Sequence, residues 1–318
     1  MDMDRQGEAE RVEQTALKGG SKQKEWSELL AHLAVTICGL TAVLAVASIT
    51  IYMIRNGLPA LWEVGPAEVL FGTKWRPAAG EPSYGIFYII LTSLAGTGMA
   101  VLLGVPVGVL TAVYLSEFAP SKAAALVRPA IELLAGIPSV IYGLLGVMIL
   151  NPLVYRLELW IFRDSAEHQF TGGANLISAV LVLAVMILPT VIHISEQSLR
   201  AVPAQLRAGA AALGATPIQT VYTVTLPAAR SGIMTAIVLG VGRAIGEAMA
   251  ISLVSGSVVN LPLPFHSVRF LTTAIVSEMG YATDRHRQVL FTIGLVLFVF
   301  IMGINLLLTR TLKKRQEV

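Results

Sequence analysis

Long uncharged apolar runs dominate this chain. Leu33–Ile54, Ser83–Ser116, Leu133–Tyr155, Gln169–Ile192 and Val289–Thr309 contain no Asp, Glu, Lys, Arg or His. Each reaches the roughly 20 residues that a bilayer-spanning helix needs. A sixth apolar segment, Gly232–Val259, is interrupted only by Arg243 and Glu247. None of the runs alternates with period two. In hydrocarbon every backbone N–H and C=O must be satisfied within the protein, so runs of this kind are helices. The pattern predicts an all-α membrane protein with six transmembrane helices. Pro106, Pro138 and Pro189 fall inside predicted spans, where membrane bundles tolerate kinks. Gly104 with Gly108, and Gly242 with Gly246, have the spacing that lets helices approach closely.

Composition strengthens this reading. Soluble domains are about a quarter charged; here 14% of residues are charged and 55% hydrophobic, with mean hydropathy +0.71. A single aqueous core cannot hide that surplus, which excludes a large soluble helical protein. The net charge of +3 does not point to nucleic acid, because the basic residues gather at predicted span ends. Met1–Glu28 is polar and lacks the apolar core of a secretory signal. It reads as a cytoplasmic tail (1–30), followed by a membrane domain (31–312) and a short C-terminal cytoplasmic tail (313–318). With both termini inside, fourteen Lys and Arg lie on the cytoplasmic side and eight outside, as the positive-inside rule requires. Trp26, Trp62, Trp75 and Trp160 lie outside the spans, where aromatic rings anchor helices at the interface. Cys38, the only cysteine, has no partner for an intrachain disulfide.

The longest predicted cytoplasmic loop is 196–231. Ala204–Leu213 is alanine-rich and helix-favouring. Gly214 stops that helix and Pro217 follows. A second short helix, Ile218–Thr225, is expected to end before Pro227. Two short helices around a glycine elbow suit either a docking surface for another chain or a plain connection between spans. The chain carries no ATPase of its own: none of its seven lysines precedes Ser or Thr, so a P-loop is absent.

Arg243 stands about 11 residues past Gly232, roughly 16 Å along the helix and near the middle of the hydrocarbon. Glu247, four residues on, would share its helix face. Charges at this depth face the protein interior or a polar path. Guanidinium is permanently charged and its planar fork matches an oxyanion. Glu247 would then orient the fork. The alternative is a buried ion pair locking span five to its neighbours. An intramembrane enzyme would need a nucleophile–base or metal constellation, which this pair does not supply. Glu132 is expected at the start of span three, solvated or capping. His193 and Glu196 lack metal-site spacing, and His168, His266 and His286 are scattered in loops. Arg55–Pro82 and Asn260–Arg287 face outward as candidate docking surfaces for other chains. Arg269, Arg285 and Arg287 there read as solvated surface charge or as an attraction for anions.

Several segments carry a family resemblance. Importer permeases driven by ABC ATPases bear a cytoplasmic signature: Glu-Ala-Ala, three residues, Gly, nine residues, Ile, any residue, Leu-Pro. Here Ala208-Gly209-Ala210 replace the opening triplet, Gly214 supplies the glycine, Val224 the isoleucine, and Leu226-Pro227 the close. Gly72-Thr73-Lys74-Trp75-Arg76-Pro77, Tyr114-Leu115-Ser116-Glu117-Phe118-Ala119-Pro120, the Glu132–Gly143 segment and Gly242-Arg243-Ala244-Ile245-Gly246-Glu247-Ala248-Met249-Ala250 resemble the PstC-type permeases of phosphate-specific importers. The resemblance covers roughly residues 30–310. It implies a type I ABC importer permease bundle (MetI-like) that moves inorganic phosphate without cofactor or metal. It also implies a PstA-type second permease, an ABC ATPase dimer docked on the loop, and an extracytoplasmic phosphate-binding protein. Arg243 and Glu247 fall at the family's transport-linked positions. The same architecture carrying another oxyanion or solute is one alternative. An ion-coupled secondary carrier is another, although no inverted repeats are visible.

Overall fold

The computed structural model describes residues 2–165 and 167–314, with side chains for 28–165, 167–306 and 310. The side chain of Trp26 and those of the N-terminal basic residues lie outside that set. Six helices among the described residues are long and apolar enough to cross a membrane: Glu28–Val64, Phe87–Phe118, Ser139–Ile161, Leu176–Arg200, Pro217–Gly246 and Asp284–Leu306. The chain divides into two compact units, Met1–Arg55 and Asn56–Val318.

Helix α1 (Asp2–Val64) supplies the first unit. The segment expected as a tail is thus helical, in keeping with its Ala, Glu, Gln, Lys and Arg content. From Leu33 to Ile54 the helix exposes apolar side chains in every direction, Val35, Ile37, Leu40, Val43 and Leu44 among them. A helix apolar all round suits lipid. Thr36, Thr41 and Thr50 turn their hydroxyls back to the carbonyls of His32, Ile37 and Val46, so these three hydroxyls need no partner from the hydrocarbon.

The second unit begins with the last turns of α1, then α2 (Pro66–Phe71) and a two-stranded hairpin, β1 (Trp75–Arg76) and β2 (Ser83–Tyr84). Trp75 pairs with Tyr84 in antiparallel register. There follow α3 (Phe87–Val113), α4 (Ser121–Gly136), α5 (Ser139–Leu145), α6 (Asn151–Ile161) and α7 (Leu176–Arg200). Beyond the loop helices α8 (Ala204–Ala212) and α9 (Pro217–Thr220) come α10 (Leu226–Gly246), α11 (Met249–Val254), α12 (Leu271–Glu278) and α13 (Asp284–Lys314).

Helix α7 is the hub of this unit. A Cβ on Gly104 of α3 would lie 2.8 Å from Ile187 Cδ1, and one on Gly108 2.8 Å from Val191 Cγ1. The absent side chains let α3 run parallel to α7 at close approach. On α10, Gly232 meets Ser198 and Gly240 meets Val191, so α10 packs antiparallel to α7. Nothing stands within 4 Å of a Cβ on Gly242 or Gly246. That second small-residue pair therefore makes no close approach to described residues.

Prolines explain most departures from the predicted spans. Three π-helical turns, Tyr114–Phe118, Gly146–Leu150 and Val221–Thr225, each end two residues before a proline: Pro120, Pro152 and Pro227. Proline lacks an N–H and its ring crowds the carbonyl four residues back. The wider turn absorbs that clash. The helix after Gly214 accordingly runs through Pro227, and span five starts at Pro217 rather than Gly232. Span three starts at Ser139, because α4 ends at Gly136 and Pro138 is extended (ψ 139°). Glu132 is thus an exposed residue near the end of α4 and not the start of a span. Span four starts at Leu176. Gly172 and Gly173 take positive φ, and the Asn175 side chain accepts from the Ser178 N–H as a cap.

Candidate functional site

The sixth apolar segment is not one helix. Helix α10 ends at Gly246, and Glu247 is extended (φ −72°, ψ 134°). The Glu247 Oε1 accepts from the Ala250 N–H at 3.0 Å, capping α11. The Glu247 carbonyl accepts from the Thr272 hydroxyl at 2.6 Å. Glu247 therefore does not share a helix face with Arg243, as its spacing predicts. A carboxylate that satisfies a free N–H at the next helix start favours the break.

Arg243 sits one turn before this break. Its neighbours Ala244 and Ile245 are buried, while Arg243 itself is exposed on the flank of the unit. Ala244 belongs to the core formed with Ala100, Ala184, Met186 and Ile187. That core lies at the level of Gly104, midway along Phe87–Phe118. No carboxylate among the described residues pairs with Arg243, so the buried ion-pair alternative finds no partner among them. On α5 the Tyr142 hydroxyl donates to the Leu134 carbonyl at 2.7 Å. An exposed guanidinium at the level of the bundle's central core is costly in lipid. It requires either a water-lined path or another polypeptide beside it.

At one end of the bundle lies the two-helix loop. Gly214 takes φ +83° with open space around its Cα, the left-handed conformation that favours glycine after a helix. Thr216 and Gln219 close a reciprocal capping box on α9. Ala208 and Gly209 are exposed on α8, and Ala210 is half-buried. Leu213 (91% exposed), Ile218 and Tyr222 form an apolar crest about the elbow. Val224 lies in the π-turn, and Leu226 and Pro227 open α10. The base of the loop is pinned by ion pairs: Arg207 to Glu117 at 3.0 Å, and Arg128 and Arg200 to Glu196 at 2.7 and 3.1 Å. His193 bonds Gln197.

The opposite end holds two buried carboxylates that sequence reasoning missed. Glu158 is fully buried and accepts from His168 Nε2 at 2.9 Å and from the N–H and hydroxyl of Thr171. The ring of Phe162 stacks on His168 at 3.8 Å. Glu278 accepts from Trp75 Nε1, from Arg269 Nη1 and from His286 Nε2 at 2.7 Å. Thus Arg269 is a half-buried ion-pair partner rather than a solvated charge, the Trp75 ring N–H is hydrogen-bonded within the protein, and His168 and His286 are not idle loop residues. Arg285 pairs with Glu63, and Arg287 donates to the Ala282 carbonyl. For Glu158 a signal existed: a lone carboxylate in the apolar run Leu157-Glu158-Leu159-Trp160-Ile161. Glu278 had none.

A broken span bearing an exposed arginine, and a pinned two-helix loop at one end, mark a multi-pass helical membrane bundle. Residues 104–315 match the family described as binding-protein-dependent transport system inner membrane component, and the chain belongs to it. It is an ABC importer permease, the transmembrane component of a transporter that works with an ATPase and a substrate-binding protein. The chain is 37% identical over 302 residues to the probable ABC transporter permease protein YqgH of Bacillus subtilis, covering 93% of this chain and 94% of that one. It is 32% identical over 302 residues to the phosphate transport system permease protein PstC of Haemophilus influenzae, covering 92% and 95%. In fold it matches a bacterial ABC transporter involved in import of the acidic polysaccharide alginate. That match has TM-score 0.56 and 17% identity, and covers 86% of this chain and 95% of the other.

Proposed function

We propose that this chain is a PstC-type subunit that carries inorganic phosphate across the membrane beside a PstA-type permease. ATP hydrolysis by an ABC ATPase dimer drives it, and a phosphate-binding protein feeds it from outside. The observation that carries this reading is the exposed Arg243, without a carboxylate partner among the described residues, at the level of the central core and one turn from a helix break. Its fork suits a phosphate dianion. The Glu247 carboxylate, held by Ala250 through one oxygen, has a second oxygen to accept the phosphate proton, which sulfate lacks. The resemblance to PstC proteins over most of the chain supports the substrate.

In this reading the loop end is cytoplasmic, with both tails inside, and the hairpin end meets the binding protein. The ATPase docks on the crest around Gly214, along the 208–227 signature. Helix Pro217–Gly246, 30 residues without a stop, is the lever: about 45 Å long at 1.5 Å per residue, it carries motion of the loop to Arg243. Alternating access follows as the spans tilt around the break.

The test is ATP-dependent uptake of labelled phosphate in vesicles holding the assembled complex. Wild type is expected to take up phosphate and Arg243→Gln to assemble without transport. An assembled wild-type complex that ignores phosphate would overturn the substrate, and sulfate would then be tested. Undiminished uptake by Arg243→Gln would remove Arg243 from the path.

A further inference from the structure

Helix α12 is tied at both ends. At its start the Leu271 N–H donates to the Ser93 hydroxyl of α3 at 2.8 Å, and Phe270 fills the space above Gly96. One residue on, Thr272, 8% exposed, gives its hydroxyl to the Glu247 carbonyl at 2.6 Å. At its other end Glu278 gathers Trp75 of the hairpin, Arg269 and His286 of α13. Arg269 also donates to the carbonyl of Ser257 at 2.9 Å, a residue with positive φ. A strut is thereby fixed to the hairpin end of the bundle at one extremity. At the other it touches the backbone of the residue where the Arg243 helix breaks.

We propose that Thr272 is a positioning residue for the anion path: its hydroxyl holds the helix break at Glu247 open and so keeps Glu247 out of register with Arg243. This rests on the reading of Arg243 as part of that path. The physical case is simple. A break inside a span frees carbonyls that lipid cannot solvate. Thr272 satisfies the one at Glu247. Without it, the cheapest way to satisfy that carbonyl is to wind α10 and α11 into one helix. Continuous winding puts Glu247 at i+4 from Arg243, within pairing reach. The guanidinium would then be neutralised by its own chain instead of facing an anion. The anchoring of α12 through Glu278 means that whatever seats on the hairpin end also bears on this latch.

The experiment compares wild type, Thr272→Ser, Thr272→Val and Thr272→Ala in the assembled, reconstituted complex. Ala is included so that a packing defect specific to Val does not decide the result. Two readouts are taken. For uptake, Val and Ala are expected to lower the maximal rate by roughly tenfold with KM within about twofold, and Ser to restore it. The second readout uses no substrate: thiol reactivity of Gly246→Cys in a Cys38→Ser background. Gly246 faces open space, so its reactivity reports the break. Val and Ala are expected to change the labelling rate by about threefold or more, and Ser to leave it unchanged. Wild-type labelling and uptake in Val and Ala would overturn the proposal, as would Ser behaving like Val. If the wild-type complex moves no phosphate, the substrate reading fails and the labelling rates alone decide the role of Thr272.

Discussion

Arg207 Nη2 stands 3.0 Å from Glu117 Oε1 and donates to the Leu199 carbonyl at 2.7 Å. One guanidinium thereby joins α8 to the π-turn after α3 and to the end of α7. Alanine occupies position 208, where the importer signature has glutamate, so the loop's tether comes from the preceding arginine to its own chain. Glu117→Gln or Arg207→Gln is expected to loosen the loop by about 1.5–3 kcal/mol, the range for a hydrogen bond to a charged group. The double variant should cost no more than the worse single one. Hydrogen exchange of the 204–216 amides checks this, and additive effects would show that the pair does not interact.

The elbow itself depends on backbone conformation alone. With φ +83° and open space at Gly214, Gly214→Ala should cost about 1 kcal/mol through strain. Gly214→Val should cost more and Gly214→Asn less, since Asn tolerates the left-handed region. Co-purification of the ATPase with each variant gives the ranking. Equal retention by all three would mean that docking ignores the elbow.

Close approach of α3 and α7 makes Gly104 intolerant of bulk. Its Cβ would lie 2.8 Å from Ile187 Cδ1 and 2.9 Å from the Ala184 carbonyl oxygen, whereas Gly98 meets nothing within 4 Å. Gly104→Val is expected to lose about 1–3 kcal/mol by overpacking and Gly98→Ala almost nothing. Thermal unfolding of the detergent-solubilised complex separates them, and similar melting for both would refute the packing argument.

Glu158 is the most completely enclosed charge in the described structure, held by His168 and Thr171. Glu158→Ala leaves those donors without an acceptor and is expected to cost about 3–5 kcal/mol. Glu158→Gln keeps an acceptor oxygen for the Thr171 N–H and should cost less. Accumulation and melting of the two variants test the order.

The spans were legible because lipid imposes one rule on composition: about 20 residues without charge and every backbone group bonded within the helix. That rule found all six spans and isolated Arg243 and Glu247, the two charged residues of the sixth apolar run. The elbow at Gly214 was legible from the glycine stop and the following Pro217, because its conformation is a local property of one residue. Hydropathy did not locate the span ends. Those at Ser139, Leu176 and Pro217 were set by Pro138, by Gly172 and Gly173, and by a π-turn that carried the helix past Pro227.

What the sequence determined by itself was the membrane class, the number of crossings, the lack of a P-loop and the signature loop, all of them properties of neighbours along the chain. Tertiary structure decided the relation of Glu247 to Arg243. Spacing of four predicts a shared face, but Thr272, twenty-five residues on, holds the carbonyl that a continuous helix would have used. The partners of Glu278 at Trp75, Arg269 and His286 were likewise invisible, because they converge from separate elements. A buried charge is stabilised by whatever the fold brings within hydrogen-bond reach, and that reach is measured in space, not along the sequence.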